Sequence, residues 1–198
     1  MALTKVQADG VNLADTFAFT GTVTGGGGMQ LLLDSTIGSV SSFDVSSTYI
    51  NSTYDSYMVH IYCLPDGDNK YLQMQVFVGG TIQTGSIYGY EGVYASGSGA
   101  FGGNAEAEWG FQYAGSGNQA GEGTTAHIMV SHVNNTASSC AITGMSNYSE
   151  HSGSNHQGGY FTGRLITANR ANVVNGFRFK FHSGNIASGS IKVYGLRA

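Results

Sequence analysis

The sequence predicts an antiparallel all-β fold, a sandwich or barrel. Three features point to it: period-two alternation of apolar and polar side chains, a composition rich in glycine and aromatic residues, and turn residues at short intervals. Of 198 residues, 31 are Gly, 12 Tyr and 10 Phe, with a single proline, Pro65. Charged residues make up 10% of the chain, against about 25% in an ordinary soluble domain. Aromatic side chains suit strand faces, and Gly, Ser, Thr and Asn suit turns and exposed faces. So little charge fits a component covered by neighbours better than a freely diffusing enzyme. The length suits one domain with a substantial core, burying roughly 70% of its unfolded surface.

Residues 1 to 28 read as an arm. Leu13, Phe17, Phe19 and Val23 fall at even steps, and Gly25 to Gly28 let the backbone turn. A lone strand of this kind has no partner nearby in sequence, so it must pair with the body or with another chain. The body, residues 29 to 198, starts with Met29-Gln-Leu-Leu-Leu, followed by a short strand at Val40 to Val45 and a polar connection at Ser46 to Ser56. Two strong strands follow, Tyr57 to Leu64 and Tyr71 to Val78, joined by Pro65-Asp-Gly-Asp-Asn. Asp-Gly between two alternating runs is a hairpin signal. In the second run Leu72, Met74, Val76 and Val78 share one face, opposite Tyr71, Gln73, Gln75 and Phe77.

Gly85 to Tyr94 reads as an outer strand, and Ala95 to Thr125 is the least regular stretch, with Phe101, Trp109, Phe111 and Tyr113 among Gly and Ser. Ala126 to Val133 resumes strand character, and short strands are expected at Ser139 to Ile142, Gly144 to Glu150 and Tyr160 to Thr167. Ala168 to Val174 suits one helical turn at most. The chain closes with two alternating runs. Phe177, Phe179 and Phe181 oppose Arg178, Lys180 and His182, and Ile191 and Val193 oppose Lys192 and Tyr194. These are two antiparallel strands, each with one face buried. Their cationic positions either face solvent or meet acids across a subunit interface.

Candidate chemistry is sparse. Cys63 and Cys140 lack C-x-x-C spacing, which gives no metal site; Cys63 suits a small buried hydrophobe, and the sequence leaves their pairing open. Asp66-Gly-Asp-Asn-Lys70 departs from a calcium loop at Lys70 and reads as a turn. The glycine runs carry no Gly-Lys-Ser/Thr ending for phosphate, and no Gly-x-Ser-x-Gly elbow precedes a helix. No catalytic residue, metal ligand or cofactor is therefore assigned. Glu91, Glu106, Glu108, Glu122 and Glu150 leave a glycosidase pair formally open, since sequence cannot set their separation.

Binding candidates are Trp109, Phe111 and Tyr113, whose rings on a Gly/Ser-rich loop suit sugar faces. The alternative is that these rings fill the core or a subunit interface. His151 and His156, in the loop Ser149 to Gly159, suit a glycan or a cation, although a solvated loop is the simpler reading. The net charge of −4 argues against an extended nucleic-acid surface. No stretch approaches the ~18 apolar residues of a membrane span, and the start lacks the pattern of a secretory signal. The expectation is a chain made and folded in a cytoplasm, without membrane insertion.

The segment Asn12 to Val23, the Ser/Thr-rich stretch after it, Phe43-Asp-Val, Tyr54-Asp-Ser-Tyr57 and the terminal Ser188 to Leu196 together resemble bacteriophage virion proteins. In tail fibres, head fibres and similar appendages, comparable patterns belong to jelly-roll-like β-sandwich modules, often trimeric. The resemblance implies an antiparallel, jelly-roll-like β-sandwich with an extended N-terminal arm, assembled as a homotrimer. It also implies attachment to other virion proteins through residues 1 to 28, location in the virion after synthesis in the host cytoplasm, and display of loops for a host surface glycan. A capsid decoration or head-fibre protein without receptor binding fits the same features. The rivals from other classes are a small carbohydrate-active enzyme and a soluble lectin-like module. The family carries no catalytic motif to transfer.

Overall fold

A computed structural model describes residues 28–95, 99–151 and 155–196. The chain forms strands β1 (Met29–Ile37), β2 (Phe43–Val45), β3 (Ser56–Pro65), β4 (Leu72–Val78), β5 (Thr81–Ile82), β6 (Tyr88–Tyr94) and β7 (Ala100–Glu106). They are followed by β8 (Trp109–Gly110), β9 (Thr124–Ser131), β10 (Ala141–Ser149) and β11 (His156–Leu165), a 3-10 turn at Thr167–Ala171, then β12 (Val174–Phe181) and β13 (Ile186–Leu196). Pairing is antiparallel throughout and builds two sheets. The larger has eight strands in the order β1-β13-β3-β9-β10-β11-β6-β7; the smaller runs β2-β12-β4-β5, with β8 also on β4. The arm expected over residues 1 to 28 lies, apart from Gly28, outside the described residues.

The alternation seen in the sequence decides which side of each strand faces the core. In β3, Tyr57, Val59, Ile61 and Cys63 are buried and the residues between them half-buried. In β12, Phe177, Phe179 and Phe181 are buried, with Phe177 edge-on to Tyr57 across the sandwich (ring centroids 6.0 Å, interplanar angle 84°). Trp109, Tyr88, Phe111, Leu72, Met74 and Ile128 complete the same core.

Two expectations about connections need correction. The Asp66-Gly67 turn does not close a hairpin: β3 belongs to the large sheet and β4 to the small one. Both strands are already hydrogen-bonded on both sides, β3 by β13 and β9 and β4 by β12 and by β5 and β8. Their apolar faces meet across the core instead. The two closing strands likewise are not partners, since β12 enters the small sheet and β13 the large one. Consecutive strands β1/β2, β3/β4 and β13/β12 therefore sit in matching order in the two sheets, a jelly-roll-like wrap.

The two crossing turns pack side by side. Asp66 N donates to Asn185 O (3.0 Å), His182 N donates to Tyr71 O (2.9 Å), and Lys70 Nζ donates to Ser183 Oγ (3.0 Å). Gly184, at φ +74°, meets the Asp66 carboxylate so closely that a Cβ would collide with it. The two short strands expected at 139–142 and 144–150 are a single strand, β10. Gly144 interrupts its apolar alternation because the Phe161 ring of β11 occupies the place of a side chain there.

The cationic face of β12 is satisfied within the chain. Arg178 forms a fork on Asp44, its register partner in β2, with Nε–Oδ1 and Nη2–Oδ2 both 2.7 Å. Lys180 Nζ donates to Gln73 Oε1 (3.2 Å), and His182 Nδ1 accepts from Tyr71 N (3.2 Å). Because the Arg178–Asp44 pair is partly solvated, it should contribute less than about 1 kcal/mol. Phe177→Ala should cost about 3–5 kcal/mol. Denaturant unfolding of Phe177→Ala and Asp44→Ala tests that ranking, and an equal loss in both would contradict it.

Cys63 and Cys140 are free and buried, which leaves no disulfide. Burial pushes both thiols up from an ordinary 9.0 to about 12. Native protein should therefore resist a thiol-labelling reagent that modifies both cysteines after unfolding. Between pH 9 and about 12 the unfolded chain loses thiol protons that the folded chain keeps, so stability should fall as pH rises through that window. Buried Tyr88 and Tyr57, also raised by desolvation, act in the same direction. Denaturant midpoints across the window should fall progressively, and a flat profile would contradict the burial.

Candidate recognition groove

The five residues singled out from sequence separate into two environments. Trp109 and Phe111 are fully buried and cannot meet a ligand. β8 pairs with β4, so Trp109 turns inward, where its indole N–H donates to Gly89 O (3.2 Å) and its ring stands edge-on to Tyr88 (5.0 Å, 81°). Phe111 packs on Phe161 (4.9 Å). For these two rings the core-filling alternative is what the fold adopts. Tyr113 is 47% exposed and stacks on Tyr94 (4.2 Å, 19°).

His151 and His156 are exposed at the same end of the sandwich as Tyr113. His151 N donates to Gly115 O (3.1 Å), and His156 opposes Ser149 across β10 and β11. Among the described residues no group of three or more His, Cys, Asp or Glu side chains is placed to hold a metal.

A concavity lies at the opposite end of β6, β10 and β11, on the outer face of the large sheet. Gly89 and Tyr94 mark these two ends on β6, roughly 17 Å apart at about 3.4 Å per residue. The groove has a volume of about 860 Å³. Its floor follows from the register: Arg164 of β11 lies between Ala141 of β10 and Gly89 of β6. Small residues on both sides leave a trough beside the guanidinium. A Cβ at Gly89 would press on Ile166 Cγ2 (3.0 Å) and Asn104 Oδ1 (3.1 Å), so the glycine keeps this floor low. Thr162 and Glu91, opposed in register, continue it along the sheet.

The walls are loops tied to the frame. On one side the segment 132–139 is turned by Asn135, whose Oδ1 accepts from Ala137 N (2.8 Å) and Ser138 N (3.1 Å). Ser139 Oγ donates to Leu165 O (2.6 Å), and Asn134 Nδ2 donates to Asn51 O and Tyr54 O (2.6 Å each). On the other side Ile166 N donates to Ile87 O (2.8 Å), placing the 3-10 turn that carries Arg170 beside the trough. Thr136, Ser138, His132 and Asn104 add hydrogen-bonding groups around the rim. Sequence reasoning gives Arg164 and Arg170 no role. The signal that distinguishes them, the small residues beside Arg164, exists only once the register is known.

A smaller hollow of about 330 Å³ lies further along the same face, bordered by His127, Met145, Asn147 and Tyr160. Lys192, His60, His127, Met145, Tyr160 and Val93 form one cross-strand row there. The His60 and His127 rings meet at 4.3 Å. Burial, then His127 and Lys192, hold the His60 pKa below its ordinary value.

Comparison with family models, with curated proteins and with solved structures finds no match.

Because Trp109 is the chain's single tryptophan, its emission reports the core directly. Native protein should emit at short wavelength and resist iodide quenching, losing both properties on unfolding. An iodide-accessible tryptophan in the native state would place the ring at the surface.

Proposed function

We propose that this chain is a structural protein of a bacteriophage virion, a fibre or appendage subunit that displays its sandwich for recognition of a host surface glycan. The groove carries the reading: a preformed concavity on a rigid sheet, lined by hydroxyl, amide and guanidinium groups suited to sugar hydroxyls. Glu91 is the single carboxylate among its lining residues. Glycoside hydrolysis normally needs two carboxyl groups about 5–10 Å apart, so the lining favours binding over cleavage. The resemblance of Asn12 to Val23 and Ser188 to Leu196 to virion proteins supports the location, and the low charge supports life among packed neighbours.

In this reading residues 1 to 28 attach the subunit to other virion proteins or to a neighbouring copy by strand addition. Three copies in a homotrimer multiply a weak contact into avidity. One observation favours the variant in which the protein decorates a capsid: Val93 (55% exposed), Met145 (49%) and Tyr160 (65%) are adjacent on the outer sheet face, a surface suited to cover by a neighbour.

Deletion of residues 1 to 28 should abolish incorporation into particles, scored by electron microscopy and immunoblotting of purified virions. The truncated protein should keep a cooperative unfolding transition, because every described strand begins at or after Met29. Normal incorporation of the truncated chain would overturn the attachment role.

A further inference from the structure

We infer that the groove on β6, β10 and β11 takes an acidic saccharide, with Arg164 and Arg170 receiving a sugar carboxylate. This rests on the recognition role proposed above and names the class of glycan.

The argument begins with how the cations are used. Among the described residues, Arg178 is paired with Asp44 and Lys192 with Asp34. The Lys70 ammonium donates to Ser183 and that of Lys180 to Gln73. The guanidinium groups of Arg164 and Arg170 alone have no hydrogen-bond, ion-pair or ring partner among the described residues. Both line the same concavity. Unpaired arginines scattered over a surface would mean little, but two that line one trough, with the small residues Gly89 and Ala141 beside Arg164, offer a site for an anion. The planar guanidinium fork matches a carboxylate, as the Arg178–Asp44 pair shows within this chain.

The rest of the lining decides which anion. Glu91 shares the floor and has no ion pair among the described residues. It would repel a densely charged phosphate or nucleic-acid backbone but accept hydrogen bonds from sugar hydroxyls. Thr136, Ser138, Thr162 and Asn104 offer both donors and acceptors. A ligand with one carboxylate and many hydroxyls uses both charge types, as uronic and sialic acid residues do. A neutral sugar would leave the arginines unused.

The test is calorimetric titration of the full chain with four probes: a glucuronate-containing oligosaccharide, its carboxyl-reduced neutral counterpart, a sialic-acid-terminated oligosaccharide and inorganic phosphate. At least one acidic saccharide should bind. For the glucuronate probe the reduced form should bind about ten- to a hundredfold more weakly, the range of a lost charge-assisted hydrogen bond. Arg164→Ala and Arg170→Ala should each weaken acidic-saccharide binding to a similar degree with unchanged melting temperatures, since both side chains are exposed. Glu91→Gln should raise phosphate affinity, since the like charge that repels phosphate is removed.

Equal binding of the acidic and reduced forms, competition by phosphate at matched concentration in the unaltered chain, or no binding of either acidic saccharide would each overturn the inference. Binding of the neutral form alone would overturn it while leaving the recognition role standing. The particle-incorporation assay with residues 1 to 28 deleted separately decides the virion role.

Discussion

Closure of the two sheets over the inward face of β12 is the constraint on which the rest of this molecule depends. Phe177, Phe179 and Phe181 enter the core together, each removing enough apolar surface from water to contribute about 1.5–3 kcal/mol. Phe177 meets Tyr57 edge-on, which joins the centre of the small sheet to an interior strand of the large one. With this face buried, β2 and β4 have only one side on which their own apolar residues can be covered. The register of Arg178 opposite Asp44 follows on the outside. Ion pairing decorates this arrangement; burial of the alternating rings produces it.

Crossing connections then give the sandwich two unlike ends. At one end the turns at 66–71 and 182–186 interlock, and Ser116 bridges Lys70 and Glu150, sealing the core with backbone hydrogen bonds. At the other end the segments 46–55, 132–139 and 166–173 stand around the ends of β10, β11 and β6. Asn134 holds two of them together through Asn51 and Tyr54. The segments 132–139 and 166–171 border the outer face of the large sheet, and the groove lies between them where β11 presents Arg164 beside two small residues. Tying the walls to the frame reduces the ordering cost of binding there.

Much of the strand content was legible in the sequence because the pleat has a period of two. The buried residues of β3, β9 and β12 are those the alternation selects, and the 3-10 turn at Thr167–Ala171 overlaps the stretch 168–174 that suited one. The pairing of strands was not legible. Asp66-Gly67 has the local chemistry of a hairpin, yet the strands beside it part into different sheets. Trp109 and Phe111 could not be told from surface rings for a related reason: an aromatic ring in a Gly-rich segment reads the same whether the segment folds inward, as at Trp109, or stays outside, as at Tyr113.

By itself, then, the sequence determined an all-β chain, the face each strong strand buries and the absence of familiar catalytic motifs. These are properties of side-chain type and local period. The tertiary structure alone decided which strands are neighbours, that both cysteines stay apart as buried thiols, and that Arg164 and Arg170 share a groove. Backbone hydrogen bonding is chemically uniform along the chain. Register is therefore settled by whole faces closing on one another, and the placement of Gly89 and Ala141 beside Arg164 is a consequence of that closure.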